Sequence, residues 1–287
     1  MSKVWIATRC RTESSRLPGK VCMDLGGKPM FVQVLERCQA VLPDIQQFLL
    51  TTYLTVDDGL AFLAKAYGYE VFRGQVKMVW GRVNEFLDYV DAKPDDIFIH
   101  LSGDQPFRFC KYLPFAIQQL RETGADIFLS DVPVHTLGWA IGSPAGHGHD
   151  FSVRAIRKYW ESQKSYVVVQ EDAMWVDWYD FRYVVCKMPS WHYLEWPWMK
   201  LSLDYPVQAL KIKWIYDLLY RGEPIDVRDV YDLHLEREYL AHLGDGVEIL
   251  ASTRAAYPYG STVHHYDIKD FRKLGLVARE VEWRGDA

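Results

Sequence analysis

Val4-Trp5-Ile6-Ala7-Thr8, followed by Arg11-Thr12-Glu13-Ser14-Ser15-Arg16-Leu17-Pro18-Gly19-Lys20, is the stretch from which the rest of the chain can be read. An apolar run of strand length ends in a polar loop. The segment Met30 to Ala40 then places Phe31, Val34, Leu35 and Cys38 three and four residues apart, on one face of a helix. Strand, loop and helix in that order form the first unit of an α/β sheet, and open sheets of this kind bind ligands beyond the carboxyl ends of their strands.

The same alternation continues. Gln47 to Thr52, Glu70 to Phe72, Ile97 to Leu101 and Asp126 to Ser130 read as strands, and Gly59 to Tyr67, Gly81 to Val90 and Lys111 to Thr123 as helices between them. The expected fold class is therefore α/β, a mostly parallel sheet with helices on both faces. A helix is expected over Val153 to Gln163, strands over Tyr166 to Val169 and Arg182 to Cys186, and a helix over Val207 to Leu219. From Val132 to Gly148 the pattern gives way to glycine, proline and histidine, and loops of that length in a compact domain usually carry function. Gly244-Asp245-Gly246 punctuates the chain near its end.

Composition sets the outer limits. With 287 residues, 49% hydrophobic and 25% charged, the chain can bury a large core without disulfide or metal staples. Its 38 acidic and 33 basic residues give a net charge of −5, so no general electrostatic attraction to long nucleic acids is expected. Five widely spaced cysteines with no CxxC pair point to a reducing compartment. The start lacks the apolar segment of a signal peptide, and the longest stretch free of Asp, Glu, Lys and Arg, Val132 to His149, is broken by glycine and proline. A cytoplasmic protein without membrane insertion is the expectation.

The loop from Arg11 to Lys20 carries the chemistry. Two arginines and a lysine, with two serines and a glycine, supply forked, compact, hydroxyl and backbone donors suited to an oligophosphate. It is not a Walker A loop, whose GxxxxGK[ST] spacing is absent. Charge alone would equally describe a solvated basic loop. Ser102-Gly103-Asp104-Gln105-Pro106 ends another apolar run, where Asp104 is either a turn former or a carboxylate for a hard cation such as Mg²⁺, which binds one or two carboxylates plus phosphates and water. Asp204, in Lys200-Leu201-Ser202-Leu203-Asp204-Tyr205-Pro206, reads as a second such carboxylate or as the N-cap of the helix that follows. His147, His149 and Asp150 suit a substrate contact in the mid-chain loop, or a transition metal. Cys10 reads as a buried strand-end thiol, with a low-pKa nucleophile as the alternative.

These segments resemble a known family. Arg-x-x-Ser-x-Arg-Leu-Pro-Gly-Lys after the first strand, Leu25-Gly26-Gly27-Lys28-Pro29-Met30, Leu35-Glu36-Arg37, Val71-Phe72-Arg73-Gly74, Gly81-Arg82, Leu101 to Phe107 and Leu201 to Pro206 look like the sugar-activating cytidylyltransferases. These include the acylneuraminate and Kdo cytidylyltransferases, and the pattern is most similar to the spore coat polysaccharide biosynthesis protein F branch. The resemblance covers roughly residues 3 to 243. It implies a nucleotide-binding sheet of the nucleotide-diphospho-sugar transferase type and an Mg²⁺-dependent transfer of CMP from CTP to an acceptor oxygen of a sugar acid, with pyrophosphate released, in surface polysaccharide synthesis. On it, Arg11, Lys20 and Asp104 are catalytic, and Asp104 and Asp204 are the metal ligands. Ser14, Ser15, Arg16, Gly19, Arg82, His100 and Gln105 join Arg11 and Lys20 at the nucleotide, while His147, His149 and Asp150 face the small-molecule acceptor.

Residues 1–243 are thus expected to form a nucleotidyltransferase domain with an acceptor and dimerisation subregion near 132–200, and 244–287 a C-terminal extension. Family habit and the aromatic stretch Trp175 to Trp198 set the expectation of a homodimer. The sequence departs from the family pattern at Glu13 (commonly Gly), His100 (commonly Arg), Met78 (commonly acidic) and Ser152 (commonly Glu). The alternatives are a sugar-phosphate nucleotidyltransferase using another nucleoside triphosphate, a nucleotide-sugar glycosyltransferase, and a nucleotide-binding scaffold without activity.

Overall fold

The computed structural model describes residues 2–130, 150–163, 180–187, 201–237 and 268–284. Its centre is an eight-stranded sheet. The strands of that sheet are β1 (Val4–Arg9), β4 (Gln47–Thr52), β5 (Glu70–Gly74), β6 (Ile97–Ser102), β7 (Ile127–Ser130), β8 (Asp150–Ser152), β9 (Tyr183–Lys187) and β10 (Val277–Glu282). Their order across the sheet is β10-β9-β7-β8-β6-β1-β4-β5. All neighbours run parallel except β8, which lies antiparallel between β6 and β7. A small hairpin of β2 (Asp24–Leu25) and β3 (Lys28–Pro29) precedes the first helix.

β4 and β6 are buried at every position, as parallel strands covered on both faces must be. Ile97, Ile99 and Leu101 of β6 join Ile6 of β1, Val34 of α1 (Met30–Gln39) and Leu113 of α4 (Leu113–Thr123) on one face. Phe98, on the other face, packs with Phe86 of α3 (Val79–Tyr89) and Tyr159 of α5 (Val153–Gln163). The two-residue period of the strands thus divides the core into two layers. The first layer continues through α2 (Asp58–Ala66), α6 (Pro206–Leu219) and α7 (Val227–Glu236), where Leu60, Ile212 and Val230 share a cluster with Leu49 of β4.

Every strand and helix expected up to Ser130 is present, with boundaries shifted by a few residues at most. Part of the stretch expected as a C-terminal extension is built into the sheet. After α8 (Ile268–Lys273), β10 pairs with β9 at the edge, and Trp283 is buried with its ring 5.3 Å from that of Phe109. The expected strand at Tyr166 to Val169, the loop from Val132 to Gly148 and most of the aromatic stretch, including Trp175, Trp178 and Trp191, lie outside the described residues. No helix among the described residues is long and apolar enough to cross a membrane.

Candidate active site

Three segments meet beyond the carboxyl ends of β1 and β6. The first is the loop after β1. Its neck is closed by the Gly19 N–H, which donates to the Thr12 carbonyl at 2.8 Å, and Gly19 holds φ of +73°, a conformation that strains any residue with a side chain. The second is the turn after β6, fixed to β1 by the Gly103 N–H donating to the Arg9 carbonyl at 3.0 Å. A Cβ on Gly103 would lie 2.1 Å from Cys10 Sγ, so only glycine lets the two strand ends approach this closely. The third is the extended segment before α6, tied to the second by the Leu203 N–H donating to the Asp104 carbonyl at 2.9 Å.

Lys20 joins all three. Its buried ammonium donates to Asp104 Oδ2 at 2.6 Å, to the Leu203 carbonyl at 2.6 Å and to Asp204 Oδ1 at 3.0 Å. Three acceptors use the three donors that an ammonium has. Arg16 also reaches Asp204 Oδ1, at 2.6 Å, with its guanidinium 5.5 Å from the Tyr205 ring centroid. Partial burial would lower the Arg16 pKa, but Asp204, Tyr205 and Asp104 together outweigh it and the pKa is raised, so Arg16 stays charged.

Asp204 does not cap α6. The Asp204 and Tyr205 N–H groups both donate to Gln208 Oε1, at 2.7 and 3.0 Å. Gln208 therefore closes the helix start from inside, and the Asp204 carboxylate faces the cations. The side chain of Asp104 is one-quarter exposed, which leaves it accessible to solvent.

The other expected site residues are placed differently. Arg11, Ser14, Ser15 and Gly19 belong to the same loop, where the Leu17 N–H donates to Ser14 Oγ at 3.4 Å and Ser15 is exposed. Glu13 is exposed as well. Arg82 is buried on α3 and donates to the carbonyls of Gln75 at 2.9 Å and Val76 at 3.2 Å, bracing the turn after β5. His100 is buried on β6, its ring 5.2 Å from Trp80 and 6.1 Å from Phe98. Burial, with Arg9, Arg108 and Arg82 nearby, holds its pKa well below the usual histidine value, so the ring is neutral at pH 7 and offers no ionic contact to phosphate. Gln105 is buried in the turn after β6. His147 and His149 lie outside the described residues, as does the side chain of Asp150, whose backbone opens β8. Cys10 is buried, and burial pushes its thiol pKa well up, with Asp104 adding to the effect, as suits an unreactive strand-end cysteine.

Asp57 was not singled out in the sequence. It is buried in the 3₁₀ turn after β4, and its Oδ1 accepts the Thr12 N–H at 2.7 Å. A carboxylate a few residues past the carboxyl end of a strand, immediately before a helix, was the available signal. Its resemblance to an ordinary helix cap concealed it.

Chemically, the arrangement offers cationic and N–H donors along one loop and two carboxylates fixed side by side. Among the described residues there is no cluster of three His, Cys, Asp or Glu side chains that could hold a metal ion alone. Two carboxylates fit a hard cation whose remaining ligands are phosphate oxygens and water.

A family model described as cytidylyltransferase matches residues 8–169. The 3-deoxy-manno-octulosonate cytidylyltransferase of Escherichia coli is 33% identical over 144 residues, covering 50% of this chain and 54% of that protein. The chain spans about a third to a half of the length of the curated relatives it matches. Among solved structures, a cytidylyltransferase from Leptospira borgpetersenii superposes with a TM-score of 0.67 at 18% identity, covering 84% of this chain and 98% of that one. CMP:2-keto-3-deoxy-manno-octonic acid synthetase complexed with CTP does so with a TM-score of 0.53 at 20% identity, covering 75% and 99%. The shared architecture is the nucleotidyltransferase α/β sheet expected for the chain.

Proposed function

Because the chain belongs to the cytidylyltransferase family, we propose that it transfers CMP from CTP to an acceptor oxygen of a sugar acid, with release of pyrophosphate, in the synthesis of a surface polysaccharide. The observation that carries this reading is the convergence on Lys20, which places two carboxylates against a basic, glycine-necked loop at the carboxyl edge of the sheet. The sugar-acid acceptor is suggested by the name of the Escherichia coli relative, 3-deoxy-manno-octulosonate cytidylyltransferase.

The reaction is an in-line displacement. An acceptor hydroxyl oxygen bonds to the α-phosphorus, the bridging bond to the β-phosphate oxygen breaks, pyrophosphate leaves and the hydroxyl proton passes to water. Positioning and neutralisation of charge carry most of such a reaction. Arg11, Arg16 and Lys20 bind the phosphates, with the Lys20 and Arg16 side chains turning from the carboxylates toward the triphosphate. Asp104 and Asp204 would hold Mg²⁺, which would supply neutralisation of the phosphate charge. The protein is read as cytoplasmic and as a homodimer, the assembly suggested by the aromatic stretch from Trp175 to Trp198.

Pyrophosphate release from CTP and Mg²⁺ with a panel of acceptors tests this reading. Release that requires a sugar acid such as 3-deoxy-manno-octulosonate supports it. Release only with a sugar phosphate changes the acceptor class, and none with any acceptor contradicts the assignment.

A further inference from the structure

We propose that Asp57 is the positioning residue of the phosphate-binding loop, holding the neck of residues 12–19 in the conformation that receives a triphosphate. This inference rests on the reading of that loop as triphosphate-binding.

Asp57 is 1% exposed, yet its carboxylate is fully engaged. Oδ1 accepts the Thr12 N–H at 2.7 Å, and Oδ2 accepts the Thr52 N–H at 3.3 Å and the Thr52 hydroxyl. These bonds, led by those from Thr52 and Thr12, outweigh the effect of burial and hold the Asp57 pKa below the usual carboxylate value. Thr12 is itself the base of the loop, because its carbonyl accepts the Gly19 N–H at 2.8 Å. One peptide therefore receives the end of the loop on its carbonyl side and is gripped by Asp57 on its N–H side. Lys20 follows Gly19 directly, so the direction in which its side chain leaves the backbone is fixed by the same neck.

The turn that carries Asp57 is anchored in its turn. Arg73, at the end of β5, donates to the Thr52 carbonyl at 2.8 Å and the Leu54 carbonyl at 2.7 Å, and pairs with Asp58 at 2.6 Å. A continuous set of bonds thus leads from β5 through the turn after β4 to the loop after β1. An eight-residue loop rich in small and polar residues would otherwise lose conformational entropy on gripping a flexible triphosphate. With the neck already ordered, that loss is met in the folding of the protein instead of in binding.

The test compares CTP and CMP binding by calorimetry for the wild type, Asp57→Asn and Thr52→Val, with thermal melts as the check on folding. Asp57→Asn removes the charge behind a hydrogen bond, a change expected to weaken CTP binding about tenfold. CMP binding should change about twofold or less, because it engages less of the loop. Thr52→Val keeps the Asp57 carboxylate and removes one donor to it, so a smaller loss in the same direction is expected. In turnover, the KM for CTP should rise more than kcat falls. Wild-type binding of CTP with no change in either variant, or equal losses for CTP and CMP, overturns the inference alone. No CTP binding by the wild type overturns the functional reading, and the inference with it.

Discussion

Lys20 Nζ and Asp104 Oδ2 stand 2.6 Å apart, and the same ammonium lies 3.0 Å from Asp204. The cation expected at the phosphates is therefore bonded to the carboxylates expected at the metal. Lys20 keeps two like charges side by side. Removing one partner of a buried ion pair typically costs about 3–5 kcal/mol, because the remaining charge is left uncompensated.

For Lys20→Met, CTP binding should weaken by tenfold or more and CMP binding by much less, if the lost charge serves the β- and γ-phosphates as proposed. Mg²⁺ alone should bind the variant more tightly than the wild type, because no ammonium competes for Asp104 and Asp204. Calorimetric titration of each ligand measures both effects. Equal losses for CTP and CMP would place Lys20 elsewhere.

Asp204→Asn should retain its fold, because Gln208 and not Asp204 closes the start of α6. Far-UV circular dichroism and the melting temperature should be near those of the wild type, while Mg²⁺ no longer strengthens CTP binding. A collapse in helix content would instead return Asp204 to a capping role.

His234, fully buried on α7, gives the fold a pH dependence. Its Nδ1–H donates to the Val230 carbonyl at 2.5 Å, and burial brings its pKa down to about 4. As pH falls from about 6.5 toward 4, the unfolded chain takes up a proton that the folded one refuses, so stability declines through that window. The decline from this residue is about 2–3 kcal/mol at pH 4. His100, shifted in the same direction, adds to it. Urea unfolding between pH 4 and 7 should show a flatter profile for His234→Gln, and an unchanged slope would exclude His234 as a source.

Trp283→Ala tests the place of the C-terminal segment. Truncating a buried Trp typically costs about 3–5 kcal/mol, and here it also loosens the β10 edge from Phe109 and α4. A change in unfolding free energy below about 1 kcal/mol would show that this packing adds little.

Much of this was legible in the sequence, for identifiable reasons. Apolar runs such as Ile97 to Leu101 and the spacing of Phe31, Val34, Leu35 and Cys38 report burial directly, and the architecture follows from them. The loop from Arg11 to Lys20, with Asp104 and Asp204, stood out because its residue types are costly in a core and useful at a phosphate. Three things did not stand out. β8 has only three residues, too few to show a period. β10, Val277 to Glu282, mixes three apolar and three charged residues at an edge without a clean period, and reads as surface. Asp57 is a polar group whose partner Thr12 lies 45 residues away along the chain, and local sequence cannot show such a pairing.

Calorimetric binding of CTP, GTP, ATP and UTP, with and without Mg²⁺, to the wild type and to Asp104→Asn asks whether the protein holds a metal-dependent CTP site. Mg²⁺-dependent binding that prefers CTP and is lost in Asp104→Asn is the expected result. Binding of no triphosphate, or CTP binding that is indifferent to both Mg²⁺ and Asp104, would contradict it.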